Sequence, residues 1–413
     1  MKPSLLVAQL GARHHYAIPE ILNARGMLEH LYNDICAVRG WPQYLRLIPP
    51  RFRSPAVARL AGRVPRIPRD RIATFSGFGF EYARRLRRSG SSSQSIPIFL
   101  WAGKTFGRLI LRQGLRGTGI YVFNTAGLEL LAAAKRQGLQ TILEQTIAPH
   151  AIEFRLMNEE RELHPGWEHP PGQTAFRQEY MEREQQEWEL ADRILCGSDF
   201  VRVGIEACGG PRERCVVVPY GVGDRFVPSP QPPHPGPLRV LTVGSVGLRK
   251  GAPYILEAAK RLQNRAVFRM VGPVGVLPPA ISALQEHLEL VGPVPRDRIL
   301  QHYQWADVFL LPSICEGSAT AIYEALACGL PVITTPNSGS IVRDGVEGFI
   351  VPIRDVESIV ERLNLFMEDK TLLATLRHNI RQKNLKNNFD RYGDRLVKAI
   401  YSISQMHELW RSP

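Results

Sequence analysis

The sequence predicts an α/β protein with two doubly wound parallel-sheet domains that face a cleft. Strand-length apolar runs alternate with helix-length segments in both halves of the chain, and runs such as Val308–Leu311 are continuously apolar. Strands that helices bury on both faces have this composition. A stretch rich in proline, residues 226–238, fits neither a helix nor a central strand and is predicted to be a linker. Because such sheets bind ligands at the carboxyl ends of their strands, the cleft is the expected binding site.

In the first predicted domain, residues 1–225, apolar periodicity and turn residues predict the elements in order. A strand at 5–10 is followed by a helix with Pro19 in its first turn and Gly26 past its end. Further predicted elements are strands at 120–123, 141–144, 194–198 and 215–219, and helices at 128–136 and 179–190.

The second domain is predicted to begin at residue 239 with a βαβ unit. Its predicted strands lie at 239–244, 266–272, 288–291, 308–311 and 331–334, and its helices at 252–264, 298–305 and 319–327.

Composition excludes several classes of protein. The 413 residues are 44% hydrophobic and 22% charged, which rules out a disordered, collagenous or coiled-coil chain. No apolar run reaches the roughly 18 residues that span a bilayer, and no signal peptide is expected at the amino terminus. The six cysteines contain no C-x-x-C pair, so we expect reduced packing thiols and a cytoplasmic protein.

The net charge of +13 is unevenly distributed. Eleven arginines between Arg51 and Ser89 face only Asp70 and Glu81. Such a patch attracts anions, and the sequence leaves an anionic membrane face, a solvated surface and nucleic acid open as its partner. The densest part, a candidate membrane or acceptor patch, contains Arg84, Arg85, Arg87 and Arg88.

The most informative segment is the turn between the strand at 308–311 and the next helix. We expect the helix to begin near Ser318, so that the free amides of Gly317, Ser318 and Ala319 form an anion site. Glu316 and Glu324 would then lie at most about 12 Å apart, a distance that suits polyols flanking a diphosphate. Alone, the two glutamates also fit a capping and a solvent-facing role.

A second constellation follows the first strand of this domain. The turn contains Gly244 and Gly247, and Arg249 and Lys250 stand at the entrance to the next helix. Two cations at that edge of a sheet can bind phosphate, although glycine-rich turns of this kind are often only solvated. The turn matches neither a P-loop nor a dinucleotide fingerprint.

Together the two turns resemble the retaining glycosyltransferases of family 4, also called group 1, which have GT-B architecture with two Rossmann-like domains. The similarity lies in two glutamates with seven residues between them, followed by A-x-x-x-G-x-P-V. It spans about residues 187–363 and includes the segments 191–198, 216–222, 306–313 and 344–349. The motif itself reads Glu316, Glu324, Ala325, Gly329, Pro331 and Val332.

The resemblance implies that the second domain, residues 239–385, holds a nucleotide-sugar donor, and that residues 386–413 cross back to the first domain as a helix. Glu324 would bind ribose hydroxyls and Glu316 the donor sugar. Arg249 and Lys250 would hold the diphosphate, with no metal and no cofactor required. The remaining expected donor contacts are Gly317, Ser318, Ala319, Gly247 and Gly11.

Two departures from the family pattern affect these assignments. Relatives often carry an arginine where this chain has Ser245, and Arg249 is a candidate replacement. Relatives also place a histidine in the cleft, for which His150 is the candidate, with His14 or His15 as alternatives.

The resulting hypothesis is a cytoplasmic retaining glycosyltransferase that acts at the inner membrane face. It would transfer a sugar to a glycan or lipid-linked acceptor in polysaccharide or glycolipid synthesis. One alternative is a nucleotide-sugar epimerase or hydrolase of the same fold. The other is a nucleic-acid-binding module that uses the basic patch, which would leave the two-glutamate turn unexplained; no nucleic-acid partner is expected.

Overall fold

A computed structural model describes residues 2–89, 95–170, 175–223, 225–227, 234, 236–383 and 388–401. These residues form two parallel β-sheets flanked by helices. Part of the predicted linker (228–233 and 235) and half of the C-terminal segment (386–387 and 402–413) lie outside the described residues.

The first sheet has seven strands in the order β3-β2-β1-β4-β5-β6-β7, and each neighbouring pair is parallel. The strands are β1 (Leu5–Gln9), β2 (Leu28–Asn33), β3 (Ile72–Thr74), β4 (Gly119–Phe123), β5 (Gln140–Gln145), β6 (Arg193–Cys196) and β7 (Cys215–Val217). The helices are α1 (Ala17–Ala24), α2 (Pro55–Ala61), α3 (Ser76–Arg88), α4 (Ile96–Leu111), α5 (Leu128–Arg136), α6 (His150–Leu163), α7 (Ala175–Leu190) and α8 (Asp199–Ala207).

The second sheet has six parallel strands in the order β10-β9-β8-β11-β12-β13. The strands are β8 (Leu238–Val243), β9 (Ala266–Val271), β10 (Glu289–Gly292), β11 (Val308–Leu311), β12 (Val332–Thr334) and β13 (Gly348–Ile350). The helices are α9 (Ala252–Arg261), α10 (Pro278–Gln285), α11 (Ile299–Trp305), α12 (Thr320–Ala327), α13 (Val356–Glu368) and α14 (Lys370–Gln382), followed by α15 (Asn388–Ile400).

The predicted α/β class with parallel sheets is confirmed. Every residue of the central strands β4 and β11 is buried, as their continuous apolar runs predicted. Strands β2, β3 and β13 were missed. Half-buried polar residues interrupt β2, and β3 and β13 have only three residues each, too few for a periodic pattern.

Two helices connect the sheets to the opposite half of the chain. Helix α15 lies against the first sheet's side, where Asp394 pairs with Arg25 of α1 at 2.8 Å and Arg395 donates to the Pro219 carbonyl. Helix α6 belongs to the first sheet in sequence but packs on the second. Its buried Glu160 accepts hydrogen bonds from Tyr254 of α9 at 2.9 Å and from Arg354 at 2.6 Å.

The sequence also supports predictions about membrane-spanning segments and about the state of the cysteines. No helix in the described ranges is both long and apolar enough to cross a lipid bilayer. All six cysteines are free thiols, and four of them are buried.

Candidate active site

The turn that follows β11 carries an ion cluster in which Glu316 and Lys250 are buried and Arg249 is half-buried. The Lys250 ammonium lies 2.7 Å from one carboxylate oxygen of Glu316, and the Arg249 guanidinium lies 3.3 Å from the other. Glu316 and Lys250 are each only 8% exposed. The structure therefore brings together the three charged residues that the sequence placed on two separate turns.

Burial and charge act in opposite directions on the two cations. Burial lowers the pKa of Lys250, and the neighbouring Glu316 carboxylate opposes part of that shift. Burial also acts to lower the pKa of Arg249, but Glu316 and Glu153 outweigh it and raise the pKa above its ordinary value. Arg249 is therefore held in its charged form at the centre of the cluster.

The predicted three-amide anion site needs correction. Helix α12 begins at Thr320 instead of near Ser318, and the Ala319 amide donates to the Ser338 carbonyl at 3.0 Å. Residues after β12 fold back over the turn and use this donor. The amides of Gly317 and Ser318 have no hydrogen-bond acceptor within the described part of the chain, so two of the three predicted donors remain available.

The same turn touches the carboxyl ends of β5 and β6 in the first sheet. A Cβ atom at Gly317 would overlap the Thr146 carbonyl, and the Ser198 hydroxyl donates to the Gly317 carbonyl. A Cβ atom at Gly197 would lie 2.9 Å from the Ser318 side chain. The carboxyl edges of the two sheets therefore face each other, as the predicted cleft requires.

His150 lies at the end of this site that contains Arg249. It begins α6, its ring centre lies 4.6 Å from that of Tyr180, and its Nδ1 is 3.8 Å from a Glu153 oxygen. Although burial acts to raise the pKa of Glu153, His150 and Arg249 lower it overall. The buried Nε2 of His150 has no hydrogen-bond partner among the residues described.

Glu324 marks the opposite end. It accepts a hydrogen bond from the Tyr303 hydroxyl at 2.8 Å, and burial raises its pKa despite Tyr303, Arg296 and Arg225. Burial first, and then Arg296 and Arg225, lower the pKa of His15 to about 4, which makes this imidazole neutral at pH 7. His15 therefore shares the surroundings of Glu324.

His14, the other alternative to His150, has a different environment. Its Nε2 lies 2.8 Å from the buried carboxylate of Glu144, and its ring centre lies 4.3 Å from that of Tyr220. These contacts hold its ring against the first sheet.

Sequence reasoning missed Arg225 and Arg296 as site residues. Arg296 follows β10 at the carboxyl edge of the second sheet, a position that could have identified it. Arg225 lies next to the predicted linker boundary, where no motif marks it.

Two of the three glycines predicted to contact the donor, Gly247 and Gly11, lie next to carboxylates of the first domain. Glu168 accepts a hydrogen bond from the Leu248 amide at 2.8 Å, and its oxygen lies 2.8 Å from where a Cβ of Gly247 would be. The Gly11 amide donates to Asp34 at 2.8 Å. A donor role for Gly247 and Gly11 stays a prediction, and Glu168 was not singled out from the sequence.

The candidate arginine patch divides into two pairs. Arg84 and Arg85 both bind Glu81, at 2.6 and 2.8 Å, and Arg85 also lies 3.9 Å from the centre of the Trp101 ring. Arg87 and Arg88 are exposed in the last turn of α3. Glu81 therefore offsets part of the charge of the first pair, and a membrane or acceptor role for the four arginines stays a prediction.

Within the described ranges, no three His, Cys, Asp or Glu side chains are grouped so that they could hold a metal ion.

With this geometry in place, comparison with known families is decisive for the second domain. Residues 237–369, which contain the ion cluster and Glu324, match the family described as glycosyl transferases group 1. The match covers this domain, which is therefore similar to the group 1 glycosyltransferases. The family resemblance carried by Glu316 and Glu324 is thereby confirmed.

Similar proteins include bacterial glycosyltransferases. The chain is 30% identical over 223 residues to the putative colanic acid biosynthesis glycosyltransferase WcaL of Escherichia coli K12, covering 49% of this chain and 55% of WcaL. It is 31% identical over 179 residues to an E. coli UDP-Gal:α-D-GlcNAc-diphosphoundecaprenol α-1,3-galactosyltransferase, covering 40% and 44%. The chain thus spans about half the length of the relatives that it matches.

The whole fold has a counterpart among solved structures. Anabaena HepE in complex with UDP and glucose superposes with a TM-score of 0.61 at 14% identity, over 96% of this chain and 99% of HepE. The predicted GT-B architecture, with two Rossmann-like domains, is confirmed.

Proposed function

We propose that this protein is a retaining glycosyltransferase that moves a sugar from a nucleoside diphosphate sugar to a glycan or lipid-linked acceptor. The observation that carries the proposal is the ion cluster of Glu316, Lys250 and Arg249, within residues that match the group 1 glycosyltransferases. The names of the galactosyltransferase relative and of the HepE complex both include UDP, which supports UDP-sugars as the first donors to test.

In this proposal the donor diphosphate replaces Glu316 as the partner of Lys250 and Arg249. The available amides of Gly317 and Ser318 would add two donors to the same anion. Glu316, released from its ion pairs, would accept hydroxyl hydrogen bonds from the donor sugar, while Glu324 and the Tyr303 hydroxyl would meet the ribose. His150, with its unpartnered Nε2, would contact the sugar or the acceptor from the first domain.

The proposed chemistry follows from the charge that develops on the leaving group. As the glycosidic bond breaks, the diphosphate gains negative charge, and fixed cations in a dry site stabilise it. Lys250 and Arg249 supply that charge, so the mechanism that we propose needs no metal ion. The acceptor hydroxyl attacks from the face that the diphosphate leaves and gives its proton to a diphosphate oxygen, which retains the anomeric configuration.

The acceptor is proposed from the relatives. Their names refer to colanic acid biosynthesis and to a diphosphoundecaprenol-linked sugar. A sugar linked to such a lipid lies at a membrane surface, so we place the reaction in polysaccharide synthesis, at the cytoplasmic face of a membrane.

Product analysis with labelled donors tests the proposal. The protein is incubated with UDP-, GDP-, ADP- and dTDP-sugars and with polyprenol-diphosphate-linked acceptors, and the products are separated and their anomeric configuration is read by NMR. We expect a glycoside with the anomeric configuration of the donor. Release of free sugar alone, formation of an epimer, or inversion would contradict the proposal, and Glu257→Ala on the exposed face of α9 serves as an unaffected control.

A further inference from the structure

The connection between β2 and β3 exposes large apolar side chains to solvent. Leu47 is 78% exposed and Phe52 is 68% exposed, both in short 3-10 turns. We call the whole set the apolar rim; it consists of Trp41, Tyr44, Leu47, Phe52 and Phe80. Phe80, from α3, joins it because its ring packs edge-on against Trp41 at 6.4 Å. Burying such side chains away from water would be favourable by an amount that scales with their area.

The same connection has a strongly one-sided charge. Residues 35–69 contain eight arginines and no aspartate, glutamate or lysine. Arg46, Arg51 and Arg59 are exposed and pair with no carboxylate in the described ranges. The Arg51 guanidinium lies 4.8 Å from the centre of the Phe52 ring, so a cation and an exposed apolar group lie side by side in this connection.

Other arginines give this surface its shape. Arg53 donates to the carbonyls of Ile48 at 2.8 Å and Arg46 at 2.9 Å, which ties the two 3-10 turns together. Arg63 lies 3.4 Å from the buried Asp34, whose carboxylate also accepts the Gly11 amide hydrogen bond. The connection is therefore anchored to the loop after β1 and forms a defined surface.

The position of the rim relates it to the cleft. The connection leaves β2 after Asn33, at the carboxyl edge of the sheet, and Phe80 follows the carboxyl end of β3. Strand β3 is the outermost strand on that side. The rim therefore lies at the outer border of the sheet edge that faces the second domain.

We propose that the apolar rim and its arginines form a membrane-docking surface that binds an anionic lipid bilayer. Leucine and aromatic side chains enter the boundary between headgroups and acyl chains, while Arg46, Arg51 and Arg59 meet lipid phosphates. An anionic bilayer can bury the apolar side chains and also pair its negatively charged headgroups with the arginines. It does so over a broad surface and requires no specific carboxylate opposite each arginine. The docking surface itself is argued from the exposed residues, but its role rests on the proposed function. In that role, the rim brings the mouth of the cleft to a lipid-linked acceptor.

Vesicle co-sedimentation tests the apolar part. The full chain is mixed with vesicles of phosphatidylcholine alone or with added phosphatidylglycerol. We expect binding to the anionic vesicles and about tenfold weaker binding for Leu47→Glu, because a charge replaces an inserted side chain. The matched control is Leu163→Glu, at the exposed end of α6, which should bind like the parent.

Charge-neutral variants test the electrostatic part. Replacing Arg46, Arg51 and Arg59 by glutamine should weaken binding about tenfold, and added salt should weaken binding by the parent. The control removes the same formal charge elsewhere, from Arg136, Arg212 and Arg261, which are also exposed.

Several outcomes would overturn the membrane-docking surface. The parent protein would fail to bind anionic vesicles, or Leu47→Glu would bind them as tightly as the parent does. In a third outcome, each control variant would lose as much vesicle binding as the variant that it is matched to. UDP binding in the absence of lipid is measured on the same variants and should be unchanged. If the parent protein does not bind UDP, the proposed donor site is wrong, but the vesicle result still holds.

Discussion

The two domains differ in how they contribute to the site. The second domain supplies charged side chains: Glu316, Lys250 and Arg249 at one end and Glu324 at the other. Where the turn after β11 meets the first domain, that domain supplies mainly the Thr146 carbonyl, the small residue Gly197 and the Ser198 hydroxyl. Side-chain chemistry leaves a motif in a sequence, whereas a surface made of backbone atoms does not. The comparison explains why the family resemblance is strong in the second domain and faint in most of the first.

The sharpest test of this division is Lys250→Ala. If the second domain stabilises the leaving diphosphate, kcat should fall about 10²- to 10³-fold, with a smaller change in donor affinity. Steady-state kinetics and UDP titration separate the two effects. Lys260→Ala, on the exposed side of α9, is the control and should behave like the parent. An unchanged kcat in Lys250→Ala would end the claim that this lysine acts on the leaving group.

Gly317→Ala tests the contribution of the first domain. The added methyl group would overlap the Thr146 carbonyl, so we expect a loss of about 2 kcal/mol in the free energy of unfolding and reduced turnover. Denaturant unfolding measures the first quantity. Gly77→Ala is the control, since a Cβ there meets nothing within 4 Å and lies in helix α3. Equal stability of the two variants would mean that the domains do not pack closely at this turn.

Glu324→Ala addresses the opposite end of the site. Removing a carboxylate that accepts hydroxyl hydrogen bonds should weaken UDP binding about ten- to a hundredfold, because hydrogen bonds to charged groups contribute about 1.5–3 kcal/mol. Isothermal titration calorimetry measures the change. Glu257→Ala serves as the matched control, and equal affinity of both variants would assign ribose binding elsewhere.

The smallest expected effect concerns buried acids behind His150. Burial raises the pKa of Glu184 to about 8, well above its value in the unfolded chain. The folded state then holds a proton that the unfolded state releases, so this contribution to stability is complete below pH 4.5 and is lost as the pH rises towards 8. Between pH 4.5 and 8, the melting temperature of Glu184→Gln should therefore drop by about 2 °C less than that of the parent. A parallel pair of curves would contradict the raised pKa.

Much of the fold could be predicted from sequence because its central strands are continuously apolar. The ion cluster could be predicted in part: residue types and spacing placed Glu316 and Lys250 at carboxyl edges, but only the fold shows that they pair. The amide of Ala319 was misjudged because its acceptor, the Ser338 carbonyl, belongs to a distant loop.

Other features depended on contacts between segments far apart in the chain. Glu168 reaches the Leu248 amide across 80 residues, and no local pattern encodes such a contact. The pairing of Arg84 and Arg85 with Glu81 was readable in principle, since residues three and four apart on a helix are neighbours. The exposure of the apolar rim could not be predicted from the sequence. Leucine and aromatic residues are usually buried, and only the fold shows that these are exposed to solvent.

Helix α6 has a consequence for how the molecule comes apart. Its buried Glu160 is held by Tyr254 and Arg354, and Trp167 beyond it accepts a hydrogen bond from the Leu277 amide at 2.8 Å. Cutting the chain between the sheets would also uncover the apolar residues of the second domain that cluster with Ala148 and Leu156, so a fragment of residues 237–383 should be poorly soluble and prone to proteolysis. Calorimetry of the intact chain should show one cooperative melting transition, since one hydrophobic cluster contains buried residues of both halves.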